Sequence, residues 1–282
     1  DGRRASMQAL CVEEGVGYPV LMGNMVRIKK LAAENGIDLE DMPIIDPKDD
    51  INEDLRKKYG ELFYEKRHRH GVNKHEAYKL MRDRNYFGCM LVETGEVDCM
   101  ISGLTRNYPD TIRPAIQTIG TDEGVKKIAG MYIMFTKRGP LFLADTTINF
   151  HPTAEELSEI TLLAAKIVKQ FNIKPRVAML SYSNFGSSNS TEAILVRNAR
   201  ELVKQKDPSL ICDGEIQGIL AFNKEILKDN YPFTELLNGE VNTLIFPNLS
   251  AGNIAYNLLQ EVGGFDSGRR RSDQEHRRHP QG

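Results

Sequence analysis

Three short segments gather hydroxyls, amides and glycines where an apolar run gives way to a helical pattern. They are Ser102-Gly103-Leu104-Thr105, the stretch from Ser181 through Tyr182, Ser183, Asn184, Phe185, Gly186, Ser187, Ser188 and Asn189 to Ser190, and Pro247-Asn248-Leu249-Ser250-Ala251-Gly252-Asn253. Such a junction can hold an anion, because the first N–H groups of a helix lack internal partners and carry partial positive charge. Arg113, after the first segment, adds a planar fork of donors that suits phosphate. Any one segment is better explained by caps and turns, for which Ser, Asn and Gly are the usual residues. Three together point to a ligand, and spacing alone does not identify it. In an open α/β sheet the ligand lies outside the carboxyl ends of the strands, so the three loops are expected on one edge, forming one crevice.

The run Lys66-Arg67-His68-Arg69-His70 admits two readings: a solvated helix end whose cations complement the dipole, or a grip on phosphate. His68, His70 and His75 lack acidic or cysteine partners at ligand spacing, so no metal site is expected. The chain has no GxGxxG after a strand, no Walker loop and no GxSxG elbow, hence no signature of a nicotinamide site or a serine nucleophile.

The elements that must position these residues alternate. Strands are expected at Val20–Gly23, Met42–Ile45 and, buried, at Val97–Ser102. Helices are expected from the end of the first strand at Gly23 through Asn35, over Glu53–His70, over Asn73–Arg84 continuing to about Gly95, and over Asp110–Ile119. GMYIMFTKRGPLFLAD then reads as a hairpin around Lys137-Arg138-Gly139-Pro140. Thr153 and Glu156 offer a capping box for a helix through Phe171. Strand–helix units follow to Val262. The class is α/β: two α/β/α lobes with mostly parallel sheets, the boundary falling near Gly120–Gly130. Accordingly residues 1–123 form a first lobe, 124–264 a second, and 265–282 an appended tail.

With 282 residues, 40% hydrophobic, 27% charged and a net charge of −2, the composition is that of an ordinary globular protein. It argues against a nucleic-acid binder or a membrane protein, and places the chain in the cytoplasm. The four cysteines, Cys11, Cys89, Cys99 and Cys212, sit among apolar neighbours and are expected as buried free thiols. The chain opens inside a helical pattern and closes on GFDSGRRRSDQEHRRHPQG. It is therefore expected to be a piece of a longer protein with a disordered or non-native tail from about Phe265.

From Met7 to Gly264 the chain resembles the phosphate acetyl/butyryltransferases. The resemblance rests on KRHRHG (66–71), SGLTRNYPDTIRPA (102–115), AMLSYSNFGSS (178–188), DGEIQ (213–217) and LIFPNLSAGNIAY (244–256). Within the family these motifs look closest to the phosphotransacetylase-like C-terminal domain of hybrid NADP-dependent malic enzymes. The resemblance implies an isocitrate- or isopropylmalate-dehydrogenase-like pair of lobes with the ligand crevice between them. It implies direct attack of coenzyme A thiol on an acyl phosphate, a carboxylate taking the thiol proton while a serine and an arginine stabilise the charged intermediate. Arg67 and Arg113 match arginines that grip coenzyme A and phosphate. Ser102, Gly103, Ser181, Ser183, Gly186, Ser187 and Asn253 complete the implied binding set for acetyl-CoA, coenzyme A or phosphate.

The departures matter as much. The family's Ser-Arg pair and catalytic Asp follow the AGN helix and have no counterpart here, and Ile219 stands where the simple transferases usually carry an Asp. The implied reading is a non-catalytic, acetyl-CoA-sensing and oligomerising domain of a malic enzyme. NADP, a divalent metal and malate decarboxylation to pyruvate would belong to an upstream catalytic domain of the same chain. The alternative is a fragment of an autonomous phosphate acetyltransferase.

Overall fold

The computed structural model describes residues 11–263, apart from 13, 40, 41, 104, 105, 122–124 and 126. The expected tail from Phe265, and Leu104 and Thr105 of the first loop, lie outside the described residues. The chain divides into two units, 1–123 and 124–282.

In the first unit, β1 (Leu21–Met22) pairs in parallel with β2 (Ile44–Ile45) across helix α1 (Met25–Glu34), which Asn24 caps by accepting from Arg27 N. Helix α2 (Glu53–Arg67) begins on Glu53 and Asp54 and ends on Lys66 and Arg67, so both ends complement its dipole. Helix α3 (Lys74–Leu80) starts in a capping box between Asn73 and Glu76. A Cβ on Gly60 would lie 2.7 Å from the Tyr78 ring, so α2 and α3 approach closely only because Gly60 has none. Helix α4 (Arg84–Glu93) buries every residue from Asn85 to Leu91, and α5 (Tyr108–Thr118) opens with Pro109 in its first turn. Tyr59 meets Phe87 edge-on at 5.1 Å and Phe63 meets Tyr86 at 5.5 Å, forming the centre of this core.

Two expectations fail in this unit. Residues 73–95 are two helices, because the Asp83 carboxylate accepts from Asn85 N and starts a fresh one. Residues 97–102 are not a buried strand: Ile101 is 92% exposed and Cys99 is exposed. A short apolar run becomes a strand only with a ladder to join. Here the ladder of β1 and β2 does not extend to it. Met100 fills the notch over Gly88 instead, its sulfur 2.7 Å from where a Cβ would be. Cys99 is therefore not the buried thiol expected of it.

In the second unit, β3 (Met131–Thr136) and β4 (Gly139–Ala144) form an antiparallel hairpin through Lys137-Arg138. Strands β5 (Arg176–Leu180), β6 (Ile211–Ile216) and β7 (Thr243–Ile245) complete a sheet of order β3-β4-β7-β5-β6, parallel from β4 onward. Its inner strands β5 and β7 are largely buried on both faces, and successive residues alternate between two cores. Val177, Met179 and Ile245 face helices α6 (Ala154–Gln170) and α7 (Thr191–Lys206). Ala178, Leu244 and Ile216 face the layer of α8 (Gly218–Phe222), α9 (Lys224–Asn230) and α10 (Leu249–Val262). The Thr153–Glu156 capping box starts α6 as its sequence predicts. The whole is a mixed α/β fold with mostly parallel sheets.

Candidate anion-binding site

Parallel pairing of β4, β7, β5 and β6 puts their carboxyl ends on one edge. That edge collects Ser181–Ser190, Pro247–Asn253 and the turn after β4. The loop at Ser102 belongs to the other unit and follows no strand, so two of the three loops share an edge rather than all three.

At the end of β4, buried Asp145 accepts backbone N–H groups from Thr147 at 2.8 Å, Asn149 at 2.8 Å, Gly130 at 3.1 Å and Ile148 at 3.2 Å. This folds the turn tightly. Helix α10 packs onto it: a Cβ on Gly252 would lie 2.3 Å from the Asp145 carbonyl oxygen. Asn253 follows on the exposed side and donates to the Thr146 carbonyl at 3.4 Å.

The loop after β5 is organised by a residue 32 positions away, Glu215. Between β5 and β6, Met179 pairs with Gly214 but Leu180 pairs with Ile216, so Glu215 is the extra residue of a bulge. A bulge re-aims its side chain. Gly214, at φ +150° and with no room for a Cβ beside the Met179 carbonyl, permits it. The Glu215 carboxylate is fully buried and accepts from Gly186 N at 2.8 Å and Ser183 Oγ at 3.1 Å. Arg197 grips it bidentately, Nη2 to Oε1 at 3.0 Å and Nε to Oε2 at 3.2 Å. Burial would raise this carboxyl, but the Arg197, Gly186 and Ser183 donors outweigh it and hold it below the usual carboxylate range. Ser183 Oγ also meets Ser187 Oγ at 3.0 Å.

Ser183 is consequently buried and turned inward, whereas Gly186 and Ser187 are exposed and Ser181 is half-buried. The first turn of α7 carries Glu192, whose own backbone N–H lowers its carboxyl, so that helix end is already complemented. The amides of Ser188 and Asn189 make no hydrogen bond to another described residue. The loop rather than the helix terminus thus offers unpaired amides of the kind that suit an anion.

In the first unit, Asn85 organises the site. Its Oδ1 accepts from Ser102 Oγ at 2.9 Å, and its Nδ2 donates to the Asp110 carbonyl at 3.1 Å. Arg106 pairs with Asp83 at 2.7 Å, fixing the far end of the segment that contains Gly103. Lys66 binds Glu93 and the Thr118 carbonyl, and His68 Nδ1 lies 3.0 Å from the Glu65 carbonyl oxygen. Lys66 thus ties its helix to its neighbours, and His68 folds back on the end of its own helix. Arg67 differs: its Nε is buried with no hydrogen-bond partner. Arg113 is exposed, and its side chain makes no hydrogen bond or ion pair with another described residue. Burial raises the Tyr86 phenol, and the positive charges of Arg113 and Arg67 both oppose that rise, so both arginines act within electrostatic reach of one ring. A buried guanidinium nitrogen without a partner and a second guanidinium without a hydrogen bond are groups suited to a multiply charged anion.

The family profile described as phosphate acetyl/butaryl transferase matches residues 3–268. The chain belongs to this family. It is 38% identical over 250 residues to a phosphate acetyltransferase of Bacillus subtilis, spanning 88% of this chain and 76% of that protein. It is 37% identical over 253 residues to an NADP-dependent malic enzyme of Escherichia coli, spanning 87% of this chain but 32% of that protein. A phosphotransacetylase from Streptococcus pyogenes superposes with a TM-score of 0.83 at 34% identity, covering 94% of this chain and 80% of that one.

Residues that the sequence alone does not single out are Asn85, Asp145 and Arg197, together with Glu215's part as anchor. The signal for the last was the DGE triplet, a glycine that allows a bulge followed by the residue it re-aims. Asp213 and Glu215, carboxylates open to a role as base, are both buried and paired. Asp213 accepts from Thr234 Oγ1 at 2.6 Å and faces Arg200 at 3.2 Å. Among the described residues no helix is long and apolar enough to cross a membrane.

Proposed function

We propose that this chain takes part in acyl transfer between coenzyme A and phosphate, as a segment of a phosphate acetyltransferase. This was the second expectation from sequence, and the comparisons favour it over the first. The observation that carries it is the buried, unpartnered Nε of Arg67, whose charge acts together with that of Arg113 on the Tyr86 phenol. Together with Ser102 and Gly103 they are assigned to coenzyme A phosphates. Ser181, Ser183, Gly186, Ser187 and Asn253 are assigned to the phosphoryl group, Ser183 through its hold on the loop. Supporting this reading, the chain spans three-quarters or more of the Bacillus and Streptococcus relatives. Formation of acetyl-CoA from acetyl phosphate and coenzyme A by the purified protein is the test. Turnover that depends on Arg113 supports the proposal; failure to bind coenzyme A refutes it.

The second reading is an acetyl-CoA-sensing, oligomerising domain of a malic enzyme, with NADP and a divalent metal bound by a separate catalytic domain. What favours it is the similarity to the Escherichia coli malic enzyme, confined to a third of that protein. Binding of acetyl-CoA without turnover, by a chain that associates with itself, is the result that would select it.

A further inference from the structure

The ion pair of buried Glu215 with half-buried Arg197 does more than fill the space under a loop. Ten residues separate β5 from α7, and their inward groups converge on one carboxylate. Gly186 N and Ser183 Oγ bind Glu215 Oε1 directly. Phe185 N donates to the Glu215 carbonyl at 2.8 Å. Ser187 Oγ accepts from Asn184 N at 3.0 Å and meets Ser183 Oγ. Arg197 closes the circuit, because its Nη2 also donates to the Ser188 carbonyl at 3.0 Å. Both halves of the loop are thereby tied to one rigid bulge in the sheet.

We infer that Arg197 and Glu215 are positioning residues: they hold loop 181–190 in the shape that presents its outer amides, and so set the affinity for a phosphoryl group they do not touch. The inference rests on the assignment of that loop to the phosphoryl group. The mechanism is preorganisation. A loop already fixed loses little further freedom on binding, whereas a loosened loop must be ordered at the ligand's expense. Arg197 is the residue suited to this work, since a planar fork can bind two carboxylate oxygens and a carbonyl at once. A lysine at the same place supplies charge without that geometry.

Four proteins test it: wild type, Glu215→Gln, Arg197→Met and Arg197→Lys. Amide hydrogen exchange reads the loop, and calorimetric titration with inorganic phosphate, acetyl phosphate and coenzyme A reads the ligands. Expected are faster exchange confined to residues 183–190 and a loss of phosphate and acetyl phosphate affinity of about tenfold or more, about 1.4 kcal/mol per decade. Arg197→Lys should keep the melting temperature of wild type and still lose the affinity, a split that a merely structural role would not give. Coenzyme A affinity should stay within twofold. Unchanged loop exchange in Arg197→Lys and Glu215→Gln overturns the inference, as does wild-type phosphate affinity with a loosened loop. Wild-type protein that binds coenzyme A but no phosphate instead overturns the loop's assignment and with it any positioning role, leaving the exchange data to decide the anchor alone.

Discussion

Ser102 Oγ donates to Asn85 Oδ1 at 2.9 Å, and the other end of the same amide donates to the Asp110 carbonyl. One buried side chain therefore fastens the segment before Gly103 and the first turn of α5 to the middle of the core. Asn85→Ala removes both bonds and leaves the Asp110 carbonyl without its donor. It should cost about 1–3 kcal/mol, the range for stranding a buried polar group, measured by urea unfolding. Asn85→Asp should do comparable damage, since a carboxylate can accept from Ser102 but cannot donate to a carbonyl.

The two arginines should be separable from the helix end they border. Arg113→Ala and Arg67→Ala should each weaken coenzyme A binding by roughly ten- to a hundredfold, the equivalent of about 1.5–3 kcal/mol for a lost charged hydrogen bond. Lys66→Ala, by contrast, removes a helix-end contact to Glu93 and Thr118 and should lower stability with little change in affinity. Calorimetry on all three checks the distinction. Equal affinities would return Arg67 to the helix-end reading.

Local signals were the legible ones. The Thr153–Glu156 box, the two-residue hairpin at Lys137-Arg138 and the βα alternation after Ala154 each rest on residues adjacent in sequence, and the structure keeps them. Val97–Ser102 shows the limit. Its apolar content fits a buried strand, yet a strand also needs a neighbour, and neighbours are set by the fold. The same holds for Glu215, whose partners Ser183, Gly186 and Arg197 become neighbours only through the β5–β6 register and its bulge. Loop 181–190 was visible as an anion-binding composition. That its hydroxyls are mostly bonded within the protein was not, because hydroxyl composition carries no direction.

Cysteine chemistry tests the corrected segment directly. Burial pushes the Cys89 thiol up to about 11 and moves Cys212 higher still, whereas Cys99 is exposed. In the native protein an alkylating reagent at neutral pH should modify Cys99 well ahead of Cys89 and Cys212, read by peptide mass spectrometry. Protection of Cys99 to the level of Cys212 would mean that residues 97–102 are covered after all.

Acid should find the Glu215 anchor late. Its folded carboxyl lies below the ordinary value of 4.5, because donors from Arg197, Gly186 and Ser183 outweigh the effect of burial. A depressed carboxyl contributes stability in full above its unfolded value and loses it as pH falls through the folded one. Wild type should hold this contribution from neutral pH to about 4.5 and lose it below. Glu215→Gln should lack that component of the acid slope. Urea unfolding from pH 6 to pH 3.5 compares the two; identical slopes would mean that Glu215 titrates normally.

The carboxylate that takes the thiol proton is the remaining question for transfer. Asp213 and Glu215 are poor bases for it, since both are buried and committed to arginines. Asp110 is exposed in the first turn of α5, the helix that carries Arg113, and Asn85 fixes its backbone. If the purified chain forms acetyl-CoA from acetyl phosphate, Asp110→Asn should lower the rate by about 10²-fold or more, the usual scale for a general base. Coenzyme A affinity should be preserved. Asp213→Asn should instead lower stability, because it weakens the pairing with Arg200 and Thr234 while leaving the exposed face alone. A full rate in Asp110→Asn would place the base on some other group, and the absence of turnover in wild type with coenzyme A binding intact would favour the malic-enzyme reading.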